Sequence, residues 1–102
     1  MYIPMFAWHV FRVNLLDEGY ITQEQLFAMQ RECYTMRKED PIGRNRSNNS
    51  SGWQSKDGVN DRPIFQSLLN GVEKVFNNEV FPFYMGENAH NYELDHGNYW
   101  VN

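Results

Sequence analysis

The stretch that divides this sequence reads Gly43-Arg44-Asn45-Arg46-Ser47-Asn48-Asn49-Ser50-Ser51-Gly52-Trp53-Gln54-Ser55. It is the most polar part of the chain, and it separates two segments that have helical periodicity. Its glycines, asparagines and serines predict a loop, because these residues favour turns over regular structure. The loop nevertheless contains a large aromatic residue, Trp53, directly after Gly52. A connection of this length in so small a chain is usually either functional or disordered.

Upstream of the loop, the sequence predicts a helix over residues 23–38. Thr22 followed three residues later by Gln25 forms a capping box, which marks a helix start. Pro41 ends the helix, because proline lacks an amide hydrogen and restricts the residue before it. The apolar stripe, with spacings of three and four residues, consists of Leu26, Met29, Cys33 and Met36. We expect Cys33 to be part of the core rather than a reactive thiol.

Downstream of the loop, a second helix is predicted over residues 63–76. Pro63 suits the first helical position, where no amide donor is needed. Apolar residues then recur with helical spacing, at Ile64, Phe65, Leu68, Leu69, Val72, Val75 and Phe76. We expect Asn77-Asn78 to end this helix and residues 80–84 to be extended or irregular.

Both ends of the chain predict strands. Residues 8–15 are rich in aromatic and branched side chains and too short for a helix, and residues 91–102 alternate in polarity. The predicted fold class is therefore α+β, with an N-terminal strand, two helices joined by the long polar loop, and one or more C-terminal strands. Residues 1–102 would form a single domain, and exposed strand edges could pair two copies into a homo-oligomer.

Composition excludes several classes of protein. The 102 residues suffice for one modest core, and seven Phe, six Tyr and three Trp provide the bulk to fill it. A net charge of −4 gives no general attraction to phosphates, so we do not expect nucleic-acid binding. Pro4, His9 and Arg12 interrupt the N-terminal apolar run, so we expect no signal peptide and no membrane span. A single cysteine suits a reducing compartment, which predicts a cytoplasmic protein.

The sequence contains no complete catalytic or metal-binding set. A mononuclear iron site needs two histidines and a carboxylate, and it commonly has Asp or Glu two residues after a histidine. None of the three histidines, His9, His90 and His96, has an acidic residue at that position. The loop glycines also do not match a phosphate-binding pattern. We therefore assign no catalytic and no metal-binding residue.

Three residues of the loop are candidates for contact with a substrate or a partner. Arg44 and Arg46 could bind an anionic group while Trp53 stacks nearby. Alternatively, both arginines are solvated and Trp53 packs into the core.

Four features together resemble a known family. They are residues 3–15 with Ile3-Pro4-Met5-Phe6 leading into Val10-Phe11-Arg12-Val13-Asn14-Leu15, the run Arg44-Asn45-Arg46-Ser47-Asn48, the motif Gly52-Trp53-Gln54-Ser55, and the closing Tyr99-Trp100-Val101-Asn102. With these features the chain resembles the amino-terminal half of the 2-oxoglutarate/Fe(II)-dependent oxygenases common in marine bacteria and T4-like cyanophages.

The resemblance implies the start of a double-stranded β-helix, or jelly-roll, domain that is truncated in this chain. It implies that the full-length protein is a hydroxylase-like dioxygenase with Fe(II) and 2-oxoglutarate as cofactors. In the family, the iron and 2-oxoglutarate ligands follow the Trp-x-Asn segment that is similar to Trp100-Val101-Asn102. We therefore expect this chain to hold neither cofactor and to be inactive alone. The alternative is a small, non-enzymatic accessory or structural interaction protein of a phage.

Overall fold

The computed structural model describes residues 9–44 and 52–102. Within these ranges the α-helices are α1 (Gln23–Glu39), α2 (Gln66–Val75) and α3 (Phe81–Met85). Shorter helical turns flank them: 3₁₀ turns at Val59–Asp61, Pro63–Phe65 and Gly86–Asn91, and a π-helical turn at Phe76–Val80. None of the helices in the described ranges has both the length and the apolar character needed to cross a membrane.

Helix α1 confirms the first predicted helix and its start. The Gln25 amide donates to Thr22 Oγ1 over 3.1 Å, and the Thr22 amide donates to Gln25 Oε1 over 2.8 Å. Both halves of the capping box are thus formed. Met29 and Met36 are buried, and Leu26 and Cys33 pack against the core beside them. The sequence pattern was sufficient to predict this helix, because the cap and the apolar stripe both involve residues about one helical turn apart.

The second predicted helix is present, but it continues further than expected. Pro63–Phe65 forms a 3₁₀ turn that leads into α2. The prediction that Asn77-Asn78 would end the helix is wrong, because the π-helical turn carries the chain on into α3. In this wider turn the Phe81 amide donates to the Phe76 carbonyl. Pro82 then lies in the first turn of α3, directly after the π-helical turn.

The α+β fold class is wrong, since the described residues contain no β-strand. Residues 9–14 carry no ladder partner, and a turn begins at Leu15. Asn14 explains why the chain turns here, because its side-chain oxygen accepts hydrogen bonds from the amides of Leu16 and Asp17, each over 3.1 Å. An asparagine that satisfies nearby amides gives the backbone an alternative to strand pairing. Residue 8, the first of the predicted strand, lies outside the described residues.

The carboxyl-terminal segment is extended, yet it is not a strand. It runs along residues 55–60, where the Ser55 amide donates to the Val101 carbonyl over 2.8 Å. The return bond is made by a side chain, because the Val101 amide donates to Ser55 Oγ. In the same way the Tyr99 amide donates to Asn60 Oδ1. A ladder needs reciprocal backbone pairs. Since Ser and Asn side chains replace them, the predicted C-terminal strand and the jelly-roll start are also wrong.

The core is small for a chain of this length. Its buried apolar residues are Ile21, Met29, Met36, Val59, Phe65 and Leu69. Several large apolar side chains of the described residues lie exposed outside this core, among them Tyr34, Ile42 and Phe83.

Candidate functional site

The two ends of the polar loop meet at a base formed by residues 43–44 and 52–57. The Arg44 amide donates to the Gln54 carbonyl over 2.8 Å. Gly43 has a φ of +62°, a conformation that favours glycine. A Cβ atom at this position would overlap the Gln54 carbonyl oxygen and lie 2.7 Å from Trp53 Nε1. The close approach of the two loop ends therefore requires glycine at position 43.

Asp40, which caps the carboxyl end of α1, connects this base to the helix. Its main-chain carbonyl accepts the indole N–H of Trp53 over 2.9 Å. Its carboxylate accepts the Gly43 amide over 3.1 Å and lies 3.5 Å from Lys56 Nζ. One residue thus fixes the end of α1, the start of the loop and the indole ring.

The structure brings two of the three predicted contact residues to the loop base. Arg44 forms an ion pair with Asp57, so its positive charge is balanced within the chain. Trp53 is half-buried against the core, and its N–H is already bonded to Asp40. Arg46 lies outside the described residues. Contact of these residues with a substrate or a partner stays a prediction.

Two of the motifs that carry the family resemblance pack directly on each other. Ser55, only 2% exposed, accepts the Val101 amide at its Oγ and donates its own amide to the Val101 carbonyl. The Ser55 hydroxyl donates onward to the Lys56 carbonyl over 2.9 Å. Gly52-Trp53-Gln54-Ser55 and Tyr99-Trp100-Val101-Asn102 therefore form one hydrogen-bonded unit.

A groove of about 510 Å³ runs along this unit, between α1 and the carboxyl-terminal segment. It is lined by Gln30, Cys33, Tyr34, Arg37, Trp53, Val101 and Asn102. Burial, with a further contribution from the Glu32 carboxylate, raises the pKa of the Cys33 thiol. The thiol therefore stays protonated near neutral pH, which makes it a weak nucleophile.

A second cluster ties the carboxyl-terminal segment to α2. The side chain of His96 is 12% exposed, with Nδ1 2.8 Å from the Tyr99 hydroxyl and Nε2 2.7 Å from Glu73 Oε1. With its proton on Nε2, a neutral imidazole donates to Glu73 and accepts from Tyr99. Burial, and next the Glu73 carboxylate, raise the pKa of Tyr99, which favours the hydroxyl as a donor.

The residues in the described ranges do not fit an iron site. No three His, Cys, Asp or Glu side chains among them are grouped so that they could hold a metal ion. Both ring nitrogens of His96 are engaged, and the His9 ring packs edge-on against Phe83 with centroids 4.9 Å apart. The Arg62 guanidinium could attract the carboxylate of a bound ligand, but it is already paired with Glu32 over 2.8 Å.

Sequence reasoning quoted Ser55 within a motif and weighed His96 as an iron ligand, but it did not predict the contacts that either residue makes. It did not single out Asp40, Asp57 or Glu73 as residues of this region. The position of Asp40 at the end of α1 could be predicted from the sequence, since it precedes Pro41 at the expected helix end. The partners Glu73 and His96 are 23 residues apart. No local periodicity links residues at that separation.

We expect Gly43→Ala to destabilise the protein more than Gly19→Ala. Both glycines have positive φ, so alanine costs about 1–2 kcal/mol at either position. Only at position 43 would the new methyl group also overlap the Gln54 carbonyl, whereas nothing lies within 4 Å at Gly19. The overlap should add about 1–3 kcal/mol to the loss in unfolding free energy, measured by urea denaturation. Equal losses would contradict the close approach at the loop base.

We expect Tyr99 to make the protein lose stability in alkaline solution. Its pKa is raised on folding, so the folded state holds the phenol proton more tightly than the unfolded state. This contribution is complete below about pH 10 and is lost as the pH rises through the folded pKa. The measurement is the unfolding free energy of wild type minus that of Tyr99→Phe, from about pH 8 to about pH 11. A difference that stays constant above about pH 10 would count against the Tyr99 cluster.

Comparisons with known proteins provide no relative for this chain. No protein-family model, no curated protein and no solved structure matches it. The resemblance to the oxygenases therefore rests on the residues quoted above.

Proposed function

We propose that this chain is the amino-terminal region of a 2-oxoglutarate/Fe(II)-dependent oxygenase-like protein and serves as a supporting region of that protein. The proposal rests on one observation, the hydrogen-bonded docking of Gly52–Ser55 on Tyr99–Asn102. These two motifs lie more than forty residues apart in sequence, since Ser55 and Val101 are separated by 46 positions. Residues that resemble one family and also contact each other support a common structural role.

That role is to fix the path of the chain at Val101. The loop base holds Trp53 and Ser55 in place, and Ser55 in turn holds both polar backbone groups of Val101. In the family, the iron-binding segment follows the Trp-x-Asn residues. The chain would thus position the start of that segment, while iron and 2-oxoglutarate would be bound by residues outside it. We place the protein in the cytoplasm of a bacterium or of a phage-infected host.

In this function, the polar loop would approach the substrate. Arg44, Arg46 and Trp53 remain the proposed contacts with a substrate or a partner. Because Arg44 is paired with Asp57, an anionic substrate would have to compete with that carboxylate.

A second candidate function is supported by a different observation. Several large apolar side chains near α3 are exposed, among them Phe83 and Tyr84. Exposed aromatic surface is typical of proteins that bind other proteins. A small, non-enzymatic interaction protein, such as a phage accessory component, would use such a surface.

We expect the purified chain to form no defined complex with Fe(II) and 2-oxoglutarate. The described residues offer no grouped set of metal ligands, so an anaerobic titration should produce no stoichiometric visible absorption band. A saturating band at one equivalent of iron would contradict the assignment of the ligands to residues outside this chain.

The source DNA beyond the codon for Asn102 separates the two candidate functions. If the chain belongs to an oxygenase-like protein, we expect the reading frame to continue and to encode His-x-Asp or His-x-His. A stop codon at that point in the source genome would overturn it and favour the interaction protein.

A further inference from the structure

We propose that Asp57-Gly58 is a site of spontaneous conversion to isoaspartate, and that the docked carboxyl-terminal segment, residues 92–102, protects it. Asp-Gly sequences undergo this conversion readily, because glycine places no side chain in the way of the reacting groups. The chain contains one Asp-Gly sequence, at these two positions. The inference is independent of the oxygenase-like assignment, because it depends only on this sequence and on contacts within the described residues.

The conversion needs no reagent other than water. The main-chain nitrogen of Gly58 loses its proton and bonds to Cγ of Asp57, while the carboxyl group loses its hydroxyl, so that one water leaves and a succinimide ring closes. A water molecule then opens the ring. If the bond between nitrogen and Cγ breaks, aspartate is restored. If the bond to the main-chain carbonyl carbon breaks instead, the product is isoaspartate.

In the folded protein, the reacting nitrogen is protected by the carboxyl-terminal segment. The Gly58 amide donates to Asn98 Oδ1 over 3.0 Å. An amide in a hydrogen bond keeps its proton until the bond opens, as hydrogen exchange shows. The Gly58 carbonyl is also engaged, since it accepts the Asp61 amide over 3.0 Å. Loss of the Gly58 proton therefore requires the segment to open at Asn98.

The other reacting group lies at the loop base. The Asp57 carboxylate forms an ion pair with Arg44, and its side chain is 40% exposed, so water reaches it. Gly58 has a φ of +87°, a conformation that favours glycine. The turn after Asp57 thus favours the residue that makes the sequence reactive, and the contact with Asn98 compensates for that reactivity.

Conversion would also hinder the segment from docking again. Two backbone hydrogen bonds hold the segment on either side of Asp57. The Ser55 amide donates to the Val101 carbonyl over 2.8 Å, and the Val59 amide donates to the Tyr99 carbonyl over 3.2 Å. Isoaspartate adds a methylene group to the main chain between these two donors, so their spacing no longer matches that of the two carbonyls. A reversible opening of the segment would thus become a lasting one.

The test is to incubate the whole purified chain at neutral pH and to follow isoaspartate at position 57 by peptide mapping with mass spectrometry. We expect Asn98→Ala to raise the rate of conversion about fivefold, the factor that corresponds to the loss of one hydrogen bond. Ser55→Ala, which loosens the segment at Val101, should also raise it. Asn91→Ala is the matched control, since Asn91 is exposed just before the segment, and it should leave the rate unchanged.

Asn70-Gly71 provides an internal control for unfolding of the whole chain. Asn-Gly deamidates through the same succinimide ring, and in an unfolded chain it reacts faster than Asp-Gly. Gly71 is buried within α2, so Asn70 should react only when that helix opens. We expect isoaspartate at position 57 to accumulate in Asn98→Ala while Asn70 stays intact.

The second measurement compares the converted and unconverted fractions of Asn98→Ala, separated by chromatography. The Val101 amide should exchange faster with solvent in the converted fraction, because the longer main chain disturbs the pairing of Ser55 with Val101. Equal exchange in the two fractions would contradict release of the segment.

Three results would overturn the protection of Asp57-Gly58: conversion in wild type as fast as in an unfolded peptide of residues 55–60, conversion in Asn98→Ala and Ser55→Ala as slow as in Asn91→Ala, or deamidation of Asn70 that rises in parallel. Far-UV circular dichroism of each variant shows whether it folds, and two separate variants keep the test valid if one does not. The cofactor titration and the genomic reading frame are unaffected by these outcomes, so failure of one proposal is distinguishable from failure of the other.

Discussion

The pairing of Ser55 with Val101 holds the carboxyl-terminal segment of this protein on the rest of the molecule. Ser55 is almost fully buried and serves both polar backbone groups of Val101, one through its amide and one through its hydroxyl. Buried backbone groups that lose their partners cost about 1–3 kcal/mol each. The segment carries Tyr99, which packs on the core and bonds to His96, and His96 in turn bonds to Glu73 on α2. Ser55 therefore holds the last residues of the segment, and Asn60 and Glu73 hold the part that precedes them.

The helices could be predicted from the sequence because their signals are local. Thr22 and Gln25 are three residues apart, and the apolar stripe of α1 repeats within each turn. The presence of strands could not be predicted from local patterns, since a strand needs a hydrogen-bonded partner that is distant in sequence. Asn14 and Asn60 accept backbone amides that a ladder would use. Their side chains look unremarkable in a strand pattern, and only the three-dimensional structure shows which amides they take.

The candidate site was predictable only where its residues stand out locally in the sequence. The polar loop and Trp53 stood out by composition, but the partners that place them did not. Asp40 accepts the indole N–H through its main-chain carbonyl, a group that every residue has. Likewise Asp57 gave no signal of its pairing with Arg44. The exposure of Phe83 and Tyr84 side by side was not predicted, because residues 80–84 were expected to be extended or irregular, whereas α3 includes both residues.

The small core and the docking of Val101 on Ser55 indicate that the order of this chain depends on a few specific contacts. Amide hydrogen exchange at Val101, in wild type and in Ser55→Ala, tests the central contact most directly. The docked structure predicts a protected Val101 amide in wild type and exchange at least about tenfold faster in Ser55→Ala, with the Met36 amide in α1 unaffected. A Val101 amide that exchanges in wild type as fast as in an unfolded peptide would contradict the docking of the two motifs.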